Sequence, residues 1–436
     1  MILLAKQAVS FILVLLLQLS ATLSLPQADT LKAAPADGTV MLTAAEQSGT
    51  RGATLAASYY KQYYNPVLKR LSFFPYSTRT ASCWEYIGLI SLTYKRALTD
   101  SSALRELDGI LTGLRHYRRE YKDGGFAGYA VNWNIRRDAP ASEDIAYDDN
   151  MWLGRDFVSL YQLTGDEKYK KYAIEIADWL IAEAYQPLPA QLFTDRGWAT
   201  PTEPVGSFYW SYDHGALHTC STGPAAQFLA ALYTITQNES YLDHAKSTYN
   251  LLTYLENEDG VFHDLMGFQK DENKNILAID GFDRAVYPYN SGSPITAAVE
   301  LYRITDDARY LADAKHWAKK ADAYFARETD VPGVRHFPGH NAATWFNLIL
   351  LNGYTALLPY AAETAQYIEN MRGAINYGYD NYRSKGLCGI NENILPQDWY
   401  EGFPKQEGLY QCFALDVGAA AEIYATLYAM DTNKLP

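Results

Sequence analysis

Six tyrosines recur along the 436-residue chain, Tyr94, Tyr161, Tyr233, Tyr302, Tyr354 and Tyr424, at spacings of 67, 72, 69, 52 and 70. Three lie in nearly superimposable segments: LYQLTGDEKYKKYA from Leu160, LYTITQNESYLDHA from Leu232 and LYRITDDARYLADA from Leu301. Each reads as the end of one amphipathic helix, a tight polar turn and the start of the next. A helix–turn–helix unit repeated in this way cannot bury its apolar faces alone, so neighbouring units must stack. Helix pairs are predicted over 83–98 with 101–119, 147–163 with 166–185, 220–236 with 239–256, 289–304 with 307–326, and 342–358 with 360–378. Two further helices, 50–65 (stopped at Pro66) and 409–429, bring the total to twelve. If these two pair with each other the array closes, and neither apolar end needs a cap. The prediction is an all-α fold, an (α/α)6 barrel of six inner and six outer helices.

The connections distinguish the two ends of such a barrel. Within pairs they are short, as in LTGDEK and ITQNES; between pairs they run over 120–146, 186–219, 257–288, 327–341 and 379–408. Long loops in a compact domain usually carry function, and here all of them emerge where the inner helices begin. The inner-helix starts are predicted at Ala81/Ser82, Asp148/Asp149, Cys220/Ser221, Tyr289/Asn290, Asn341/Ala342 and Gln411/Cys412. Only one of these supplies two carboxylates. An Asp-Asp at a helix start is often no more than a cap and a dipole charge. At the mouth, flanked by Tyr147, Asn150 and Trp152, Asp148 and Asp149 point instead to chemistry. Consecutive helical side chains diverge by about 100°, so both can flank one bond at the short separation used by retaining glycosidases. Helix N-terminal amides favour an ionised nucleophile, whose charge keeps a neighbouring acid protonated. The spacing leaves open which residue plays which part.

Composition narrows the partners. The formal charge is −13 with no basic cluster, which speaks against nucleic acid and anionic membranes. Residues 1–24 read as a secretory signal peptide, with Lys6, an apolar run from Phe11 to Leu19 and small residues from Ala21 to Ser24. Residues 25–49 read as a flexible N-terminal segment, and 50–436 as a single catalytic domain. No later stretch is apolar enough to span a membrane, and MDTNKLP is not a lipid-anchor tail. A secreted, extracellular monomer is expected, with no cofactor. Of the four cysteines, Cys388 and Cys412 are the first choice for a disulfide, with buried free thiols as the alternative. Asn238-Glu239-Ser240 is a glycosylation sequon in a helix–helix turn. The 36 tyrosines and nine tryptophans suit sugar faces, though core packing explains them as well.

The segments AYDDNMWLGRDFVSLYQLTGDEKY, CSTGPAAQFLAALYTITQNESYL and YNSGSPITAAVELYRITDDARYL resemble the core of glycoside hydrolase family 76, and the likeness covers most of the mature chain. The resemblance implies an (α/α)6 barrel that cleaves α-1,6-mannan backbones internally and with retention, Asp148 being the nucleophile and Asp149 the acid/base. The expectation is an endo-α-1,6-mannanase acting on α-mannan polysaccharide or manno-oligosaccharides. The alternatives are a transglycosylase on mannose-containing cell-wall glycans and a non-catalytic mannan-binding barrel. The sequence departs from the family pattern at Tyr-Asn-Ser-Gly from Tyr289, where Tyr-Asn-Gln-Gly is more usual, and lacks the lipid-anchor tail of the cell-wall members. Trp133, Asn134, Asn150, Tyr212, Asp280, Tyr289 and Asn290 are the expected substrate-binding residues. Trp152 is divided between sugar platform and core. A zinc site from His214, His218 and Cys220 is the rival chemistry, but the adjacent Cys-His of zinc-dependent lanthionine cyclases is missing.

Overall fold

The computed structural model describes residues 42–134, 139–140, 145–339, 342–387, 390–403 and 412–436. Thr43–Pro436 packs as one unit; the signal peptide expected at 1–24 lies outside the described residues. The predicted helix pairs are present. They are α2 (Cys83–Ala97) with α3 (Leu107–Leu114), α4 (Tyr147–Thr164) with α5 (Glu167–Glu183), and α7 (Thr219–Thr236) with α8 (Glu239–Leu255). The remaining pairs are α9 (Tyr289–Thr305) with α10 (Ala308–Phe325), and α11 (Ala343–Leu357) with α12 (Thr364–Tyr382). The helix predicted over 101–119 is broken: 3-10 turns at Ser101–Glu106 and Arg115–Tyr117 flank the α-helical part. A short helix, α6 (Ala190–Asp195), lies in the 186–219 connection.

The first helix among the described residues, α1 (Ala44–Tyr63), begins inside the segment read as flexible. Thr43 and Glu46 explain the earlier start. The Thr43 hydroxyl accepts the Glu46 N–H at 3.2 Å, and the Glu46 carboxylate accepts the Thr43 N–H at 2.8 Å, a reciprocal cap that satisfies two otherwise orphaned donors. The last helix, α13 (Ala414–Asp431), packs against both α1 and α2. The six inner helices α2, α4, α7, α9, α11 and α13 thus touch in order and close the ring, with α1 as the outer partner of α13. Arg372 of α12 ties the seam, bonding Asp431 at 2.8 and 2.9 Å and Ser48 at 3.0 Å.

The repeated tyrosines mark a repeated turn. Gly165, Gln237 and Asp306 adopt φ of 69°, 57° and 56°. Each returns its N–H to the tyrosine carbonyl four residues back, Tyr161, Tyr233 or Tyr302, at 2.7 to 2.8 Å. The next residue, Asp166, Asn238 or Asp307, caps the outer helix by accepting an N–H two residues on. The reversal is complete within two residues, which is why these connections are short. Tyr354 and Tyr424 are fully buried, as are Tyr59, Tyr63, Tyr86, Tyr117 and Tyr249. Much of the tyrosine excess therefore builds the core. Trp152 belongs there too: it is 1 % exposed and meets Trp345 edge-on at 5.2 Å, out of reach of substrate.

Neighbouring inner helices approach too closely for a side chain at several points. A Cβ on Gly223 of α7 would stand 2.4 Å from Ser293 Oγ of α9, and one on Gly292 of α9 would stand 2.3 Å from the Ile349 carbonyl oxygen of α11. Cys83, Cys220 and Cys412 are free and buried. Cys412 therefore carries no bridge, and Cys388, its expected partner, lies outside the described residues. Among the described residues no helix is long and apolar enough to cross a membrane.

Helix α11 is preceded by Ala342 in left-handed conformation (φ 61°), with no side-chain cap of its own. Its cap comes from the neighbouring helix. Asp416 of α13, 6 % exposed, accepts the Trp345 N–H at 3.2 Å and the Gln397 amide, and it faces the N–H groups of Thr344 and Ala342. Burial nevertheless pushes its carboxyl up to about 6. A raised carboxyl contributes most while protonated, so its contribution fades as pH rises through about 6. Asp416→Ala is expected to lose about 1–3 kcal/mol near pH 4, with the deficit shrinking toward pH 7. Thermal unfolding at both pH values checks this; a deficit that grows with pH would contradict it.

Candidate active site

The mouth loops carry short antiparallel strand pairs where the sequence alone reads as irregular connection. One pair, Leu265–Lys270 with Ile276–Asp283, also receives Leu217–His218, the two residues before α7. That pairing brings the 257–288 connection onto the start of α7. Thr219 donates its N–H to the Asp264 carbonyl at 2.8 Å and its hydroxyl to the His263 carbonyl at 2.6 Å.

Asp148 and Asp149 are the second and third residues of α4. Asp149 is 7 % exposed; Asp148 is half-buried, and its Oδ1 is enclosed without a conventional hydrogen-bond partner. Burial pushes the Asp148 carboxyl up to about 6, opposed by the Asp149 N–H, the Cys220 thiol, the His218 charge and the Trp210 indole N–H. The shift is chiefly a desolvation effect, and the helix N-terminus only moderates it. Asp149 faces Cys83 on the preceding inner helix.

Around the pair the structure gathers residues from four directions. Trp210, 42 % exposed, packs against His218 with rings tilted by 37° and centres 5.2 Å apart, and its carbonyl accepts the Tyr147 N–H at 2.8 Å. Asp264 lies behind His218, Oδ2 to Nδ1 at 3.8 Å, and its Oδ1 accepts from Asn290 at 3.0 Å. Tyr289, the first residue of α9, stacks on Phe346 at 4.1 Å. Phe346 in turn lies near Trp84 and Tyr287, at 6.3 and 5.6 Å. These rings form one aromatic cluster at the starts of α2, α9 and α11.

The other expected binding residues divide. Asn150 is fully buried, and its amide is committed: Oδ1 accepts the Tyr129 N–H at 2.8 Å while Nδ2 donates to the carbonyls of Tyr129 and Ala146 at 3.1 and 3.0 Å. It holds the Phe126–Tyr129 strand against α4 and has no donor left for a sugar. Asn290 is likewise buried and orients Asp264, so it serves the site at one remove. Asp280 is exposed on the hairpin, where it accepts from Gln269 at 3.1 Å; Asp264, at the root of that hairpin, lies beside His218 at the start of α7. Trp133 stacks on His116 at 4.2 Å with its indole N–H enclosed and unpartnered. Asn134 beside it is exposed. Tyr212 is 65 % exposed, near His214.

The zinc reading fails on geometry. His214 stacks on Tyr209 at 4.5 Å and approaches the Tyr147 hydroxyl at 3.3 Å, whereas His218 turns to Trp210 and Asp264. Among the described residues only His336, Asp398 and Glu401 bring three ligand-type atoms within 4.8 Å of one another. Asp398 there already accepts the N–H groups of Gly339, Tyr400 and Glu401 at 2.7 to 2.9 Å, with His336 at 2.8 Å. It clasps two mouth loops together.

Comparison with known proteins fits this arrangement. The profile of Glycosyl hydrolase family 76 matches residues 139–427. No curated protein matches the chain. Among solved structures, the family 76 mannosidase Bt3792 of Bacteroides thetaiotaomicron superposes with a TM-score of 0.72 at 23% identity, covering 89% of this chain and all of that one. The α-1,6-mannanase of Salegentibacter sp. HEL1_6 gives 0.65 at 20% identity, over 87% and 98% of the two chains. An inactive variant of that enzyme, with two consecutive aspartates replaced by asparagine, was solved with α-1,6-mannotriose. Dfg5 of Chaetomium thermophilum, in complex with glucosamine, gives 0.59 at 13% identity, over 89% and 90%. At these identities the superpositions establish a shared fold.

Proposed function

The chain belongs to glycosyl hydrolase family 76 and is a glycoside hydrolase, and from that premise we propose that it is a secreted, retaining endo-α-1,6-mannanase. The observation that carries the reading is the Asp148-Asp149 pair in the first turn of an inner helix at the loop-rich mouth of the barrel. In this mechanism Asp148 attacks the anomeric carbon while Asp149 protonates the leaving oxygen. Asp149 then takes a proton from the water that releases the mannosyl-enzyme. Trp210 and the Tyr289–Phe346 stack offer flat apolar faces to a pyranose. Asp264, with His218, would accept hydroxyls of the bound mannose. Trp133, Asn134 and Tyr212 are the residues proposed to bind further sugars of the chain. Inactivity of the Salegentibacter enzyme lacking two consecutive aspartates, and its binding of α-1,6-mannotriose, support the substrate assignment. The leader at residues 1–24 supports secretion, and a monomer needs no partner to complete the site.

Linear α-1,6-mannan is the deciding substrate. The expected result is release of short manno-oligosaccharides with retained anomeric configuration; a folded enzyme that releases none, and makes no transfer products with manno-oligosaccharide acceptors, would overturn the reading. The pH profile separates the two carboxylates. Asp148 must be ionised to attack, so kcat/KM is expected to rise through pH about 6. Were Asp148 the proton donor, the rate would fall there instead.

A further inference from the structure

We propose that Asn238 is the acceptor of an N-linked glycan, carried at the end of the barrel opposite the mouth. The inference rests on the reading of residues 1–24 as a secretory leader, because this modification belongs to chains that enter a secretory compartment. Asn238-Glu239-Ser240 is the only Asn-x-Ser/Thr sequence in the chain. It lies at the two-residue reversal between α7 and α8, and all three residues are exposed. Helix α7 has 18 residues, so at about 1.5 Å per residue its far end stands about 27 Å from the mouth. A glycan rooted there is well clear of the carboxylate pair.

The equivalent turns show that the fold does not demand this sequence. In each, one side-chain oxygen caps the outer helix by accepting the N–H two residues on: Asp166 from Lys168 at 3.0 Å, Asn238 from Ser240 at 3.1 Å and Asp307 from Arg309 at 2.9 Å. A carboxylate caps as well as an amide does, and the residue two on is a cation in the other two turns. Of the three, the α7–α8 turn alone sets an amide and a hydroxyl at the acceptor spacing. The Ser240 hydroxyl is not held tightly, standing 3.5 Å from His244 Nδ1. The cap engages Oδ1, whereas a glycan attaches through Nδ2. In the transfer, Nδ2 bonds to the anomeric carbon of the first sugar of a polyprenyl-pyrophosphate-linked oligosaccharide. The bond from that carbon to the pyrophosphate oxygen breaks, and one amide proton leaves with the pyrophosphate. Oδ1 and the second N–H are untouched, so the modified residue still caps α8.

Expression of the chain in a eukaryotic host tests this, once with residues 1–24 and once with the host's own leader in their place, followed by peptide mapping before and after an amidase that releases N-glycans. Secreted wild type is expected to carry a glycan at Asn238, and its release should leave aspartate at 238, the residue type that caps the other two turns. Ser240→Ala keeps the Asn238 cap, and Asn238→Asp keeps it as a carboxylate. Both variants are expected to lose the glycan entirely while unfolding, and turning over substrate, as the released wild type does. Wild type that is secreted behind the host's leader with Asn238 unmodified would overturn the proposal. A chain that stays in the cytosol behind residues 1–24 but is glycosylated behind the host's leader would sink the secretion reading and leave the acceptor site standing. Turnover that rises when the glycan is released would overturn its placement away from the mouth.

Discussion

Replacing Asp148 by Asn is expected to lower turnover on α-1,6-mannan by about 10⁴-fold or more, the scale on which loss of a nucleophile acts. The folded barrel should survive the change and even gain from it. The Asp148 carboxyl is raised by burial, so its contribution to stability is greatest while it is protonated and is lost as pH rises through about 6. An uncharged amide escapes that loss. At pH 7 to 8 the variant should therefore unfold at or above the wild-type temperature, as expected where a site is kept active at a cost to stability. Asp149→Ala is expected to differ in kind. On mannan it should also be severely impaired, but on aryl mannosides with good leaving groups the first step needs no acid, and much of the rate should return. Azide should then rescue the two classes of variant with opposite stereochemistry. In Asp148→Ala, azide attacks in place of the missing carboxylate and gives the inverted β-mannosyl azide. In Asp149→Ala it attacks the mannosyl-enzyme and gives the α-product. The reverse pairing would exchange the two roles, and a folded Asp148→Asn variant with near-normal turnover would remove Asp148 from the chemistry altogether.

The helical frame was legible because its signals are local and repeated. The LY-turn-Asp/Asn segments announce their own reversal, and the six inner-helix starts fall within two residues of where counting back from the tyrosines puts them. Ring closure was legible for a different reason: two amphipathic helices were left unpaired, and only each other could cover them. What the sequence hid depends on register between distant segments. Asp264 and Asp280 are both aspartates in one connection, with nothing local to rank them. The pairing of Leu265 with His218 carries Asp264 to the mouth, while Asp280 stays exposed on the outer arm. Asn150 and Asn290 sit at helix starts as expected, yet their amides answer to the Tyr129 backbone and the Asp264 carboxylate. A buried backbone group that needs a partner competes with substrate for any amide nearby, and the sequence does not say which is nearer. His214 and His218 were visible as a cluster that offered a rival metal site; only their divergence, toward Tyr209 and toward Asp264, shows that they do not converge on one.

Gly292→Ala is expected to be the most damaging single change to the fold, destabilising it by more than about 3 kcal/mol. Its neighbour in sequence, Ser291, stands where the family pattern more often has glutamine, but the constraint on Gly292 is geometric. A Cβ there would lie 2.3 Å from the Ile349 carbonyl oxygen and 2.6 Å from the Leu350 Cα. Both obstacles are backbone, so no rotamer change relieves them. From the opposite side, a Cβ on Gly353 of α11 would meet the Gly292 carbonyl oxygen at 2.7 Å. The two helices press backbone to backbone at this crossing. Moving them apart would open the packing around Ile295, and it would shift Tyr289, three residues before Gly292, against Phe346 of α11. The expected outcome is a large fall in unfolding temperature, with residual activity at low temperature lost in parallel as the aromatic cluster moves. Gly333, which has open space around it but a φ of 77°, supplies the contrast. Alanine there strains one exposed turn and should cost about 1 kcal/mol. If the two alanine variants unfold alike, the close crossing of α9 and α11 is not what holds that side of the ring.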